Sequence, residues 1–137
     1  MGGNPNNLLE RLCLRDVLHV NSMEDVAKDI EILKEADVIN EKTSLYVLSV
    51  IEQLEDEFNE KEQILEMFTT HLAMCVQRVL NHEEVEKLDD SLWKQVEESS
   101  GYEEANKLLQ KLLINAPCEI PESEKRFLLM HLCNLYQ

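Results

Sequence analysis

Apolar residues recur every three or four positions along most of this chain, which is the period of an amphipathic α-helix. The clearest example runs from Glu60 to Leu80, where Asn59 and Glu62 have the spacing of an N-terminal capping box. His71 lies at the edge of the apolar stripe of this helix. Arg78 lies on the same face as His71, about 10.5 Å further along the helix axis. The stripe itself consists of Leu65, Phe68, Leu72, Cys75, Val76 and Val79.

The same periodicity predicts three helices before this one. The first runs from Leu8 to His19, and the second begins at a capping signal at Ser22 and ends near Ala36. After a turn, a third helix is indicated by apolar residues at alternating intervals of three and four. These residues are Leu45, Leu48, Ile51, Leu54 and Phe58.

Three more helices are predicted after an acidic stretch at residues 81–90. The first contains Leu92, Trp93 and Val96. Ser100 can cap the second, and Pro121 suits the first turn of the last. No segment of useful length alternates with the period of two that a β-strand requires. We therefore predict an all-α protein, with a helical extension over residues 1–40 and a five-helix bundle over residues 41–137.

Composition narrows the function without identifying it. The chain has 137 residues and a formal net charge of −15. This charge argues against binding of nucleic acid or an anionic membrane through an electrostatic patch. It keeps the protein soluble, and it also favours partners with basic surfaces.

The cysteines and the hydropathy pattern indicate a cytoplasmic protein. Cys13, Cys75, Cys118 and Cys133 contain no Cys-x-x-Cys pair, so we expect free thiols in a reducing compartment. No apolar run approaches 18 residues, and no signal peptide is visible at the N-terminus.

Two histidines stand out because each lies at the edge of a predicted core helix with a charged residue two turns away. Arg78 follows His71 by seven residues, and Glu124 precedes His131 by seven. The two histidines are 60 residues apart on different helices. Taken alone, a histidine in this position is more often a hydrogen-bonded structural residue than a reactive one.

Three motifs in this chain resemble those of the PTS regulation domain (PRD) family, and the resemblance covers residues 43–137. Thr-His-Leu-Ala-Met-Cys-Val-Gln-Arg-Val at 70–79 is similar to the family's first histidine motif. Tyr-Glu-Glu-Ala at 102–105 matches its Tyr-x-x-Ala element. Ile-Pro-Glu-Ser-Glu-Lys-Arg-Phe-Leu-Leu-Met-His-Leu at 120–132 is similar to its second histidine motif. Thr70 stands where the family often has an aspartate that orients the first histidine.

The resemblance implies a five-helix bundle with a regulatory function. PRDs are usually modules of bacterial transcription antiterminators and activators, and phosphocarrier proteins of the sugar phosphotransferase system phosphorylate their histidines reversibly. His71 and His131 are by this resemblance the phosphohistidines, with Arg78 and Glu124 as their neighbours. The implied partners are those phosphocarrier proteins and a transcription regulator. Neither a cofactor nor enzymatic activity is expected.

Two other interpretations of the same residues stay open at this stage. The chain can be an interaction or dimerisation module that has the PRD fold without being phosphorylated. Alternatively, His71, His131 and either Cys75 or Cys133 can form a metal site, although these residues lack a compact ligand spacing. We also expect a homodimer with an apolar interface for two reasons. A single PRD lacks the partner copy against which tandem family members pack, and the two N-terminal helices add apolar faces that need to be covered.

Overall fold

The computed structural model describes residues 23–137, which form six α-helices and two short 3₁₀ turns. No β-strand occurs in this part of the chain. The helices are α1 (Met23–Glu35), α2 (Glu41–Leu54), α3 (Glu62–Leu80), α4 (Asp90–Glu97), α5 (Tyr102–Leu113) and α6 (Glu122–Cys133), and the turns are Asn59–Lys61 and Asn134–Tyr136. The predicted all-α class is therefore confirmed. The predicted helix from Leu8 to His19 and the Ser22 cap lie outside the described residues.

One cluster of buried apolar side chains includes residues of all six described helices. Helix α1 contributes Val26, Ile30 and Leu33, each at most 1% exposed, and packs against α2 and α3. The apolar face of α1 is thus covered within the same chain. One of the reasons given above for expecting a dimer therefore does not apply to this helix. Between residues 23 and 137, no helix has the length and apolarity needed to cross a lipid bilayer.

Two of the predicted helix caps are wrong. Asn59 does not cap α3, because it lies within a 3₁₀ turn and the helix begins three residues later. Ser100 does not cap α5, whose N-cap is Gly101. The structure shows a cap that the sequence analysis missed, at Asn40, whose side-chain oxygen accepts a hydrogen bond from the Thr43 amide at 2.9 Å.

Gly101 is the N-cap of α5, and packing against the end of α6 also requires a glycine at this position. A Cβ atom at this position would lie 2.8 Å from the carbonyl oxygen of Cys133 and 2.9 Å from the Cβ of Tyr136. Contacts this short are not tolerated between real side chains. Glycine at residue 101 therefore allows the start of α5 to approach the end of α6.

The buried face of α2 includes Ile51 and Leu54 of the predicted stripe, and Phe58 beyond the helix is buried as well, but this face is rotated away from Leu45. Leu45 is 61% exposed, whereas Tyr46, Val47 and Val50 are buried. The Tyr46 hydroxyl donates a hydrogen bond of 2.8 Å to the Leu112 carbonyl in the last turn of α5. Because a buried hydroxyl needs a partner, this contact favours the rotation of α2 that turns Tyr46 inward and Leu45 outward.

Helices α1 and α3 each end in a Schellman motif closed by a residue other than glycine. Asp37 and His82 have φ values of 63° and 60°. After α3, the His82 amide bonds the Val79 carbonyl and the Glu83 amide bonds the Arg78 carbonyl. His82 therefore has a structural position at a helix end, unlike the other two histidines of the described region.

Candidate functional site

His71 of α3 and His131 of α6 meet on the surface where the two helices pack together. Their ring centroids are 4.2 Å apart and their planes differ by 18°, so the rings are stacked. His71 is exposed and His131 is half-buried. Two residues that are 60 positions apart in the sequence thus form one site.

The opposite directions of α3 and α6 produce this arrangement. Each helix carries a histidine and a charged residue seven positions apart, on the same face. Because the helices are antiparallel, the two histidines meet at one level and Arg78 meets Glu124 two turns away. Arg78 donates from Nε to Oε2 of Glu124 at 3.0 Å and from its terminal nitrogen to Oε1 at 2.9 Å. Such bidentate pairs are among the stronger hydrogen-bonded ion pairs.

A third contact ties the same two helices together beyond the histidines. The Nζ of Lys61, just before α3, donates to the carbonyl oxygens of Leu135 and Gln137, just after α6, at 2.7 and 2.8 Å. Along the interface, this tie, the histidine stack and the ion pair therefore follow one another. The stack is held between two polar contacts.

Arg78 and Glu124 were predicted to be neighbours of the two histidines, and the structure corrects this prediction in one respect. Each lies on the face of its own histidine, as the spacing indicated, but the two side chains bond each other and not the imidazole rings. The sequence could not show this, because it depends on how one helix is placed against the other. The hydrogen bonds to Glu124 raise the pKa of Arg78, which therefore stays charged.

Both imidazoles are neutral at pH 7. Burial and, as a smaller effect, the charge of the neighbouring His71 together lower the pKa of His131 to about 4. Burial and the charge of Arg78 lower the pKa of His71. His71 is desolvated although its side chain is exposed, because the stacked partner ring covers one of its faces. A neutral imidazole has one unprotonated ring nitrogen, which is a competent nucleophile.

The metal interpretation finds no support in the residues that the structure describes. Within residues 23–137, no group of three or more histidine, cysteine, aspartate or glutamate side chains is placed to hold a metal ion. Cys75 is buried next to the ion pair, and burial together with the Glu124 carboxylate raises the pKa of its thiol. This thiol is protonated at pH 7 and therefore a poor ligand.

A cavity of about 490 Å³ lies elsewhere, between α4, α5 and α6. Its lining includes Trp93, Tyr102, Leu109 and Leu129 but neither of the stacked histidines. The Arg126 guanidinium lies 4.6 Å from the centre of the Trp93 ring. The histidine pair, by contrast, is on an open surface, which suits a protein partner better than an enclosed small molecule.

Comparison with known families gives one match. A family model described as PRD domain matches residues 46–135, a range that contains both histidines and the ion pair. Comparison of the chain with curated proteins and with solved structures gives no match.

We predict that Arg78→Ala lowers the free energy of unfolding by about 2–4 kcal/mol, because it leaves the buried Glu124 carboxylate without its partner. Glu124 is only 2% exposed. The double variant Arg78→Met/Glu124→Leu should recover most of this loss, since no buried charge remains. Urea denaturation followed by circular dichroism measures both effects.

The control for this prediction is Lys87→Ala, which removes an exposed ion pair with Asp90 and should change stability by less than about 0.5 kcal/mol. If Arg78→Ala cost no more than Lys87→Ala, the interhelical pair would not be a stabilising contact.

We also predict that the protein loses stability as the pH falls from 6.5 towards about 4. In this window the histidines of the unfolded chain bind protons while those of the folded chain do not, so the free energy of unfolding rises with pH. The variant His71→Gln/His131→Gln should show a weaker dependence in the same window. The carboxylates are the same in both proteins, so their contributions cancel in the difference. Parallel curves for the two proteins would contradict the prediction.

Proposed function

Because this chain belongs to the PTS regulation domain (PRD) family, whose model matches more than half of it, we propose that it is a regulatory module that is reversibly phosphorylated on histidine by the sugar phosphotransferase system. The observation that most supports this proposal is the stacked pair of His71 and His131. The histidines of both motifs lie together, neutral and at the surface. This is the state in which a protein donor can reach them.

The proposed reaction is a phosphoryl transfer between histidines. The unprotonated nitrogen of His71 or His131 attacks the phosphorus of a phosphohistidine on a phosphocarrier protein. The new N–P bond forms as the donor's N–P bond breaks, and the donor nitrogen leaves with the bonding pair. The acceptor ring releases its remaining ring proton, and the donor ring takes up a proton. In this scheme the chain is the substrate of the transfer, so it is not an enzyme and uses no cofactor.

The two rings differ in access. His71 is exposed and His131 is half-buried, so His71 offers a donor the easier approach. Thr70, where the family often has an aspartate, leaves the orientation of His71 to the stack with His131. We propose that both rings are acceptors and that the stack takes over the orienting role.

The output of the module is proposed to be a change in protein contacts. A phosphoryl group adds a charge of about −1.5 to −2 near neutral pH. Met67, one turn before His71, is 55% exposed, so this charge would appear beside an exposed apolar side chain. A partner that binds this surface would be released or reoriented. The partner is a second copy of the chain or a transcription regulator that controls carbohydrate-utilisation genes.

One observation favours the alternative of an interaction module that is not phosphorylated. The Arg78 guanidinium, the cation on the face of His71, already donates two of its five N–H groups to Glu124. Its charge is therefore paired with a buried carboxylate two turns from the ring, and it offers less to a phosphoryl group on His71. In this alternative the stack and the ion pair only join α3 to α6.

We predict that incubation with phosphoenolpyruvate and the general phosphotransferase components adds acid-labile phosphate to the chain. Intact-mass measurement detects it, because each added phosphoryl group raises the mass by a fixed amount. His82→Gln is the matched control and should be phosphorylated like the wild type, since His82 lies at a helix end away from the stack. His71→Gln/His131→Gln should take up none. Unmodified wild type with several donor proteins would leave only the interaction module.

We predict further that the chain forms a homodimer through an apolar surface that includes Met67. Two chains of formal charge −15 repel each other, so salt should strengthen the dimer by screening this repulsion. Sedimentation at low and high salt measures the effect. Met67→Glu should weaken the dimer, whereas Leu92→Glu, at another exposed apolar residue, should not. A monomer at all salt concentrations would contradict the dimer, and unchanged dimers in His71→Asp and His131→Asp would contradict only its control by phosphate.

A further inference from the structure

The cavity between α4, α5 and α6 has the size and the lining of a small-molecule site. Its volume of about 490 Å³ lies within the range of about 300–1,000 Å³ that is usual for such sites. Its lining includes the buried apolar side chains of Leu109, Ile120 and Leu129. Trp93 and Tyr102 add two half-buried rings, whose centroids are 6.0 Å apart. An apolar molecule, and above all an aromatic one, can therefore replace water in this cavity.

Lys125 gives the cavity a charged group that has no acidic partner. Its side chain lines the cavity and is half-buried. It makes no ion pair with any residue between 23 and 137. Because charges attract each other more strongly in partly buried surroundings than in water, an anionic group that enters the cavity would be stabilised by this ammonium group.

Two carboxylates also line the cavity, but they oppose an anion less than Lys125 attracts it. Glu119 and Glu122 are both exposed, so solvent screens their charges. Oε2 of Glu122 also lies 3.9 Å from Nε of Arg126, whose guanidinium lies against the Trp93 ring. This second cation balances the charge of Glu122 beside the cavity.

The part of the chain around the cavity is also much less acidic than the rest. Residues 90–137, which include α4, α5 and α6, contain eight acidic and five basic residues, a net charge of −3 out of −15 for the whole chain. An anion that approaches this side of the protein therefore meets less repulsion than elsewhere on the chain.

We propose that this cavity binds a small carboxylic acid with an apolar body. The body packs against Trp93, Tyr102 and Leu129, and the carboxylate pairs with Lys125. This site goes beyond the proposed function and does not depend on it. At 3.6 residues per turn, Lys125 and Leu129 lie about 130° around α6 from the side that carries His131. Binding at the cavity therefore requires neither the histidine stack nor a phosphoryl group.

The proposal is tested with hydrocinnamate, a phenyl ring joined to a carboxylate by a short chain, and with hydrocinnamamide, its uncharged counterpart. Trp93 is the only tryptophan of the chain, so its fluorescence reports on the cavity directly. Titration of the full, unphosphorylated chain with hydrocinnamate should give a saturable change. The amide should bind about tenfold more weakly, because a charge-assisted hydrogen bond is roughly twice as strong as a neutral one. No saturable change with the acid, or equal affinities for acid and amide, would overturn the proposal.

A pair of lysine variants tests the role of Lys125. Lys125→Met keeps the length of the side chain and removes its charge, so it should bind hydrocinnamate about tenfold more weakly and no better than the amide. Lys107→Met is the matched control, since Lys107 is an exposed residue of α5 that does not line the cavity. It should keep the preference for the acid, and circular dichroism checks that both variants are folded. A preference for the acid that survived in Lys125→Met would overturn the pairing with Lys125.

Cys118 locates the bound molecule independently of fluorescence. It lines the cavity and is half-buried, whereas Cys75 and Cys133 are buried. Burial raises the pKa of the Cys118 thiol, so alkylation with N-ethylmaleimide is followed at mildly alkaline pH by peptide mass mapping. Saturating hydrocinnamate should slow the alkylation of Cys118, with Cys75 as the internal reference. An unchanged rate at Cys118 would place the bound molecule outside the cavity and overturn the proposal, while the proposed function would stay intact.

Discussion

The bidentate ion pair between Arg78 and Glu124 fixes the register of α3 against α6, and the arrangement of the site depends on this register. A buried carboxylate without a partner is strongly unfavourable, so the helices are held where the two groups meet. Because each histidine is seven residues from the charged group of its own helix, the same register brings His71 onto His131. A shift of one helical turn, 5.4 Å, would separate both pairs at once.

Along the interface between α3 and α6, the charged pair and the neutral histidine rings lie at different levels. The buried carboxylate of Glu124 is paired with a guanidinium, whereas the two imidazoles nearer the solvent carry no charge at neutral pH. A phosphoryl group on either ring would place about two negative charges at a level of the interface where the neighbouring ring supplies no positive one. In our proposal this contrast makes the modification effective, since a charge has the largest influence where nothing compensates it.

The position of the stack also suits regulation through protein contacts. The stack lies on an open surface next to the exposed Met67, while the described cavity lies between other helices and does not include the histidines. Lys61 ties the start of α3 to the carbonyls that follow α6, so the helices are joined on both sides of the stack. A change at the rings would therefore act on the external surface more readily than on the packing of the core.

The sequence alone determined the helical class, the approximate helix bounds and the helix face on which each of His71, Arg78, Glu124 and His131 lies. These features follow from local rules, because apolar periodicity and a spacing of seven residues fix which side chains share a helix face. The tertiary structure decided the rest. Asn59 and Ser100 have the sequence signature of caps, but neither caps a helix. Asn59 lies within a 3₁₀ turn, and the N-cap of α5 is Gly101, where close packing requires a glycine. Leu45 fits an apolar stripe, yet it is exposed because the face of α2 that packs inward is the one that carries Tyr46, Val47 and Val50. Arg78 and Glu124 each lie beside a histidine in sequence and bond each other in space, because the register between two helices depends on long-range contacts that no local pattern contains.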